Sequence, residues 1–147
     1  MDEQKTLEHK INQSLSGGTL QNALNFVSFL RENELTLEQP DEGWAIMNNG
    51  EWMGYIDFHI SPWTLFIDGH GGFDMNSAID NTLKETTWAN VNHCSQCSGC
   101  DDLGLRVTIF DRDFEGLCLL PLKFTNPDTA TLENIKKLML LLKQNRT

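Results

Sequence analysis

Apolar positions in the first part of the chain recur at helical spacing. Leu7, Ile11 and Leu15 stand at i, i+4 and i+8, one narrow stripe on a helix over residues 1–16. With so few apolar positions, this segment is expected either as a loosely packed helix or as a flexible lead-in. Gly17-Gly18 breaks the pattern. Thr19 then caps a second helix running to about Asn33, with Leu20, Ala23, Leu24, Val27 and Leu30 on one face. Phe26 and Phe29 widen that face. Residues 34–43 carry four acids and a proline and read as a loop.

The period then changes to that of strands. Trp44 to Asn48, Glu51 to Ile60 and Trp63 to Asp68 are rich in aromatic and β-branched residues. Asn48-Asn49-Gly50 is a turn signal, because Asn and Gly tolerate positive φ. Ser61-Pro62 punctuates the next junction, where a residue without an N–H suits a turn or edge. The three runs make an antiparallel meander. In its middle strand Trp52, Gly54, Ile56, Phe58 and Ile60 share the core face, and Tyr55, Asp57 and His59 the other.

Gly69-His70-Gly71-Gly72 reads as a loop. Asp74 is then the expected N-cap of a helix over about Met75 to Trp88, with Met75, Ile79 and Leu83 inward. Leu105 to Phe110 and Leu117 to Phe124 read as two further strands, with a turn over Asp111 to Gly116. Asn126-Pro127-Asp128 announces the last helix, capped by Asp128, with Leu132, Ile135, Leu138, Met139 and Leu142 on its apolar face. This order of elements argues one α+β domain over 1–147. It has a mainly antiparallel sheet of about five strands, packed with N-terminal, middle and C-terminal helices. Apolar residues on nearly every side of the last helix also suit a homodimer contact there.

Charge narrows the partners. The net charge of −10 arises within residues 1–100, which hold 14 acids and 4 bases, while residues 101–147 hold 7 of each. Such a balance repels phosphate backbones and argues against nucleic-acid binding. The longest apolar run, Leu138 to Leu142, is far below the roughly 20 residues that cross a bilayer. No basic start leads into an apolar stretch at the N-terminus, so the expected location is the cytoplasm, without a membrane partner.

The pattern that carries chemistry is His93-Cys94-Ser95-Gln96-Cys97-Ser98-Gly99-Cys100. Cys94, Cys97 and Cys100 form C-x2-C-x2-C, and Cys118 follows 18 positions later. Tight turns of this spacing direct two thiolates at one ion, about 2.3 Å from each. Soft thiolates select zinc, iron–sulfur clusters or Cu(I). A closed structural zinc site uses all four cysteines, or three with His93 as a substitute ligand or a residue just behind the ligands. An iron–sulfur cluster or an exchangeable thiol pair is the redox alternative. Unligated thiols in a reduced cytosol are the plainest reading. The ferredoxin-type run breaks off after three cysteines, because Gly104 stands where the fourth belongs.

Tyr55, Asp57 and His59 on one strand face, with Asp68 and His70 close behind, suit acid–base chemistry. The stronger reading is the wet, polar face of an antiparallel sheet. Trp44, Trp52, Trp63 and Trp88 are core residues or the lining of a small-molecule cavity. No nucleophile-elbow, phosphate-loop, dinucleotide or H-E-x-x-H motif occurs. The balance favours a binding or regulatory role over an enzyme, with the small-molecule or protein partner left open.

The cysteine loop is followed by Thr108-Ile109-Phe110, then Phe114-Glu115-Gly116-Leu117-Cys118. Phe124-Thr125-Asn126-Pro127-Asp128 then leads into Leu132 to Lys143. Through these residues the last third of the chain resembles a group of small uncharacterised proteins from anaerobic Gram-positive bacteria. The resemblance implies that the four cysteines act as a set and brings no activity with it.

Overall fold

A computed structural model describes residues 3–39, 42–58, 63–68, 80–93, 105–110 and 112–145. The first helix, α1 (Glu3–Ser14), forms on the stripe expected of it. Leu7 and Ile11 are fully buried and Leu15, just beyond the helix, is buried with them. This lead-in segment therefore docks by its one apolar stripe. The second helix, α2 (Gly17–Glu32), starts two residues before Thr19, with Ser16 at the N-cap in extended conformation.

The end of α2 is a Schellman motif. Leu35 N–H donates to Leu30 O (2.9 Å) and Glu34 N–H to Arg31 O (3.1 Å), and Glu34 takes φ +59°. Leu35 is buried, the apolar contact that accompanies this motif. Lys143 reaches from the last helix and donates its ammonium to Asn33 O, placing a cation on the negative end of α2.

Seven strands follow among the described residues: β1 (Thr36–Glu38), β2 (Trp44–Asn48), β3 (Glu51–Asp57), β4 (Thr64–Ile67), β5 (Val91–His93), β6 (Leu105–Ile109) and β7 (Arg112–Thr125). Every pairing is antiparallel. The sheet runs β1-β2-β3-β4-β7-β5, with β6 also on β7. Helix α3 (Asn81–Ala89) precedes β5, and α4 (Thr129–Asn145) closes the described chain. The α+β class and the antiparallel meander agree with the sequence pattern.

Four local features depart from it. Residues 34–43, expected as loop, contain β1, whose three residues pair with Met47, Ile46 and Ala45. Strand β5 immediately precedes the cysteines. Strand β7 begins at Arg112, inside the expected turn. Gly116 (φ +73°) forms a bulge there, where Leu105 pairs with Leu117 but Val107 with Phe114. The cap of α3 is Asp80, whose carboxylate accepts from Leu83 N–H at 2.8 Å; Asp74 and residues 69–79 lie outside the described residues.

Trp52 is a fifth correction, and its cause is one residue. Ile46 pairs with Gly54 and Met47 with Trp52, so Met53 has no partner on β2. A one-residue bulge reverses the alternation beyond it. Trp52 therefore leaves the core face and is 39% exposed. It stacks on Tyr55 with centroids 6.0 Å apart and planes 5° apart, on the face away from the core.

The core lies between the helices and one sheet face. The register sets the rows Trp44-Ile56-Leu65-Phe124 and Ile46-Gly54-Ile67-Leu122 side by side. All of these are buried, and the seven with apolar side chains belong to one cluster with Phe26, Leu30, Trp63, Leu138 and Leu142. On α4, Leu138, Met139 and Leu142 are fully buried, while Leu140 is 37% exposed. Its N-cap is Asp128, accepting from Thr131 N–H at 2.8 Å. That backbone hydrogen bond, with help from the Thr131 hydroxyl, holds the Asp128 carboxyl below the ordinary aspartate range.

Candidate functional site

Two regions bring chemistry together. The first is the middle of β7. Leu122 pairs with Ile67 of β4 and with Val91 of β5, and Leu117 pairs with Leu105 of β6 and His93 of β5. A strand has two edges, so β5 lines one and β4 and β6 share the other. Between Leu117 and Leu122 the ladder is interrupted: two steps along β5 span five along β7. Pro121, which has no N–H to give, stands in that interruption. The Asn92 side chain bridges it by donating to Leu120 O at 3.0 Å.

Cys118 occupies the first position of this interruption. Cys94, Cys97 and Cys100 lie outside the described residues, as do the side chains of Cys118 and His93. The anchors of the cysteine segment are nonetheless fixed. Segment 94–104 leaves β5 at His93 and enters β6 at Leu105, and both anchors pair with Leu117, the residue before Cys118. Adjacent strands lie about 4.8 Å apart, so the segment starts and ends roughly one strand spacing from the backbone beside Cys118.

The sequence-derived acid–base group is divided. Asp57 is half-buried at the end of β3, opposite Thr64, and Tyr55 is held between Trp52 and Phe66. His59 and His70 lie outside the described residues. Among the described residues, no three His, Cys, Asp or Glu side chains gather at a spacing that would hold a metal ion.

The second region is a cleft of about 620 Å³ beside α1. Thr6, His9, Lys10 and Gln13 stand at i, i+3, i+4 and i+7 and form its wall, a polar stripe next to the Leu7/Ile11 stripe that anchors the helix. Gln39 and Glu42 rim it. Its apolar side is Trp44 and Phe58, edge to face with centroids 5.7 Å apart and planes at 84°. The Lys10 ammonium sits 5.9 Å from the Phe58 ring centroid.

Trp44 is 2% exposed, and its indole Nε1 has no hydrogen-bond partner among the described residues. Trp63 Nε1 and Thr64 Oγ1 share that condition but do not line the cleft. The other tryptophans divide by role. Trp63 is core, Trp52 is surface, and Trp88 donates to Ile109 O at 2.7 Å beneath the Arg112 guanidinium. The cleft escaped the sequence reading because polar residues at helical spacing look like an ordinary solvated face.

No helix among the described residues is long and apolar enough to cross a membrane. Comparison of the chain with protein-family models, with curated proteins and with solved structures gave no match.

Proposed function

We propose that Cys94, Cys97, Cys100 and Cys118 hold one zinc ion in a closed tetrahedral site, and that the protein serves a binding or regulatory role. The observation that supports this is the shared partner of β5 and β6. Both strands that bracket the cysteine segment pair with Leu117, so the segment must return to the neighbourhood of Cys118. Four thiolates about 2.3 Å from a central ion lie roughly 3.8 Å from one another. A C-x2-C-x2-C turn supplies three of them from one short stretch, and β7 supplies the fourth.

A closed site has no open coordination position, which suits structure over Lewis-acid chemistry. Its effect would be to clamp β5 to β6 across β7. α1, α2, α4 and the meander bury a large apolar cluster of their own, so metal would order the loop and not hold up the fold.

Elemental analysis of protein purified without oxygen tests this. The expected result is one zinc per chain in colourless protein, lost on Cys118→Ser. Stoichiometric iron with broad visible absorbance would establish a redox cluster instead. Metal-free protein with four titratable thiols, unchanged in stability by chelator, would overturn every metal reading.

A further inference from the structure

The face of the meander turned away from the core carries an aromatic strip. Register places Glu38, Ala45, Tyr55, Phe66 and Lys123 in one row across β1, β2, β3, β4 and β7. Alternation sets that row on the face opposite Ile46, Gly54, Ile67 and Leu122. The described helices bury their apolar sides in the core cluster, on the other face. Ala45 and Met47 are buried without belonging to that cluster. Beside them Tyr55 stands between Trp52 and Phe66, with Trp52 39% exposed and the other two half-buried. Gly43 makes room for the end of the Tyr55 ring, which a Cβ at that position would strike. Aromatic anchors of this kind, Trp and Tyr above all, carry much of the binding at protein interfaces.

Charge selects the occupant. Glu38 is exposed two strand spacings, about 10 Å, from Tyr55 along the row. Asp57 follows Tyr55 by two positions and Asp68 follows Phe66 by two, so both carboxylates fall on this face. Lys123 is the cation of the row and stands beyond Phe66, on the side away from Glu38. Three carboxylates therefore surround the rings against one ammonium, in a chain of net charge −10. A second copy would set these carboxylates against their own kind. Nucleic acid and anionic lipid are repelled for the same reason. An arginine answers both features, because its planar guanidinium stacks on an aromatic ring and its N–H fork donates to carboxylates. The chain makes such a contact internally, where the Arg112 guanidinium lies 5.4 Å from the Trp88 centroid and 5.1 Å from that of Phe114. We propose that this face docks an arginine-rich segment of a partner protein, with guanidinium groups on Trp52 and Tyr55 and their charge met by Glu38, Asp57 and Asp68.

Tetra-arginine, blocked at both ends, is the probe, and tetra-lysine of the same design is the charge-matched control. Proton–nitrogen NMR at about 0.1 M salt follows the binding, since distant charges are then screened beyond about 10 Å. Trp52→Leu assigns the indole signal. Tetra-arginine should shift the Trp52 indole and the amides of β3 and β4 together, with a Kd on the order of 1 mM, and tetra-lysine should bind at least about threefold more weakly. Trp52→Leu keeps an apolar side chain without a π face at an exposed site and should weaken tetra-arginine about fivefold. Glu38→Gln should weaken it about two- to threefold, whereas Glu32→Gln, an exposed carboxylate of α2, should leave it unchanged. If Trp52→Leu fails to fold, the arginine–lysine comparison and Glu38→Gln decide the matter. Equal binding of tetra-lysine, unchanged affinity in a folded Trp52→Leu, equal effects of Glu38→Gln and Glu32→Gln, tighter binding of the neutral sugar maltotetraose, or self-association abolished by Trp52→Leu would each overturn the assignment.

Discussion

Gly54→Ala is the sharpest test of the sheet. Gly54 lies mid-way along β3, between Ile46 and Ile67 in the core-facing row. A Cβ built there stands 2.5 Å from the Phe66 carbonyl oxygen, while the Ile46 and Ile67 methyls lie at ordinary contact, 3.5 and 3.6 Å. The obstacle is therefore backbone, which cannot rotate away. Relieving it requires β3 and β4 to separate by roughly 0.5–1 Å, where strands normally lie about 4.8 Å apart. That weakens about two ladder hydrogen bonds, each contributing about 0.5–1.5 kcal/mol, on top of the overpacking strain. Against this, alanine restricts the unfolded chain and returns about 0.4–1 kcal/mol. The net expectation is a loss of about 2–3 kcal/mol, a large share of the 5–15 kcal/mol typical of a domain. For a chain of this length it lowers Tm by roughly 5–10 °C.

Gly18→Ala is the control of opposite sign. Its site in the first turn of α2 has nothing within 4 Å of an added Cβ and an ordinary φ. It should gain about 0.4–1 kcal/mol. Urea unfolding followed by far-ultraviolet circular dichroism measures both. A Gly54→Ala protein as stable as the parent would refute the close approach of β3 to β4.

Two further predictions concern helix ends. Glu34→Gly should stabilise the protein by about 1 kcal/mol in the same urea assay, since the C′ position of α2 holds φ +59° at a cost glycine does not bear. Loss of stability would show that the Glu34 side chain contributes more than its backbone costs. The depressed carboxyl of Asp128 makes the α4 cap pH-dependent: its contribution is complete above the ordinary aspartate range and fades as pH falls through the lower folded value. Asp128→Asn should thus lower Tm at neutral pH, and the gap from the parent should narrow in acid; a gap independent of pH would sink the linkage.

Strong local periodicity was readable without the structure. Helices α1, α2 and α4 follow their apolar stripes, and the β2–β3 turn follows Asn49 (φ +52°) and Gly50 (φ +84°). What escaped depended on partners. Strand β1 is three residues in an acidic stretch and exists because β2 offers it an edge. Trp52 changed face because of an unpaired Met53, and no alternation rule announces a bulge. Asp74 and Asp80 are both good N-caps by residue type, and only the hydrogen bond to Leu83 N–H identifies Asp80 as the cap of α3. The cysteine spacing was legible, whereas the common pairing of His93 and Leu105 with Leu117 is a property of topology. The α1 wall is meaningful only against Trp44 and Phe58, which are distant in sequence.

The central position of β7 has a consequence for synthesis. On a ribosome, β1 to β4 emerge as a hairpin meander that can pair from near neighbours, yet β4 must wait for residues 122–125 to cover its other edge. At about 5–20 residues per second the delay is roughly 3–12 s. During that interval Thr64-Leu65-Phe66-Ile67 offers an open, apolar strand to whatever lies nearby, including another nascent copy. Translation speed between β4 and β7 therefore governs how long the unfinished sheet is open to aggregation.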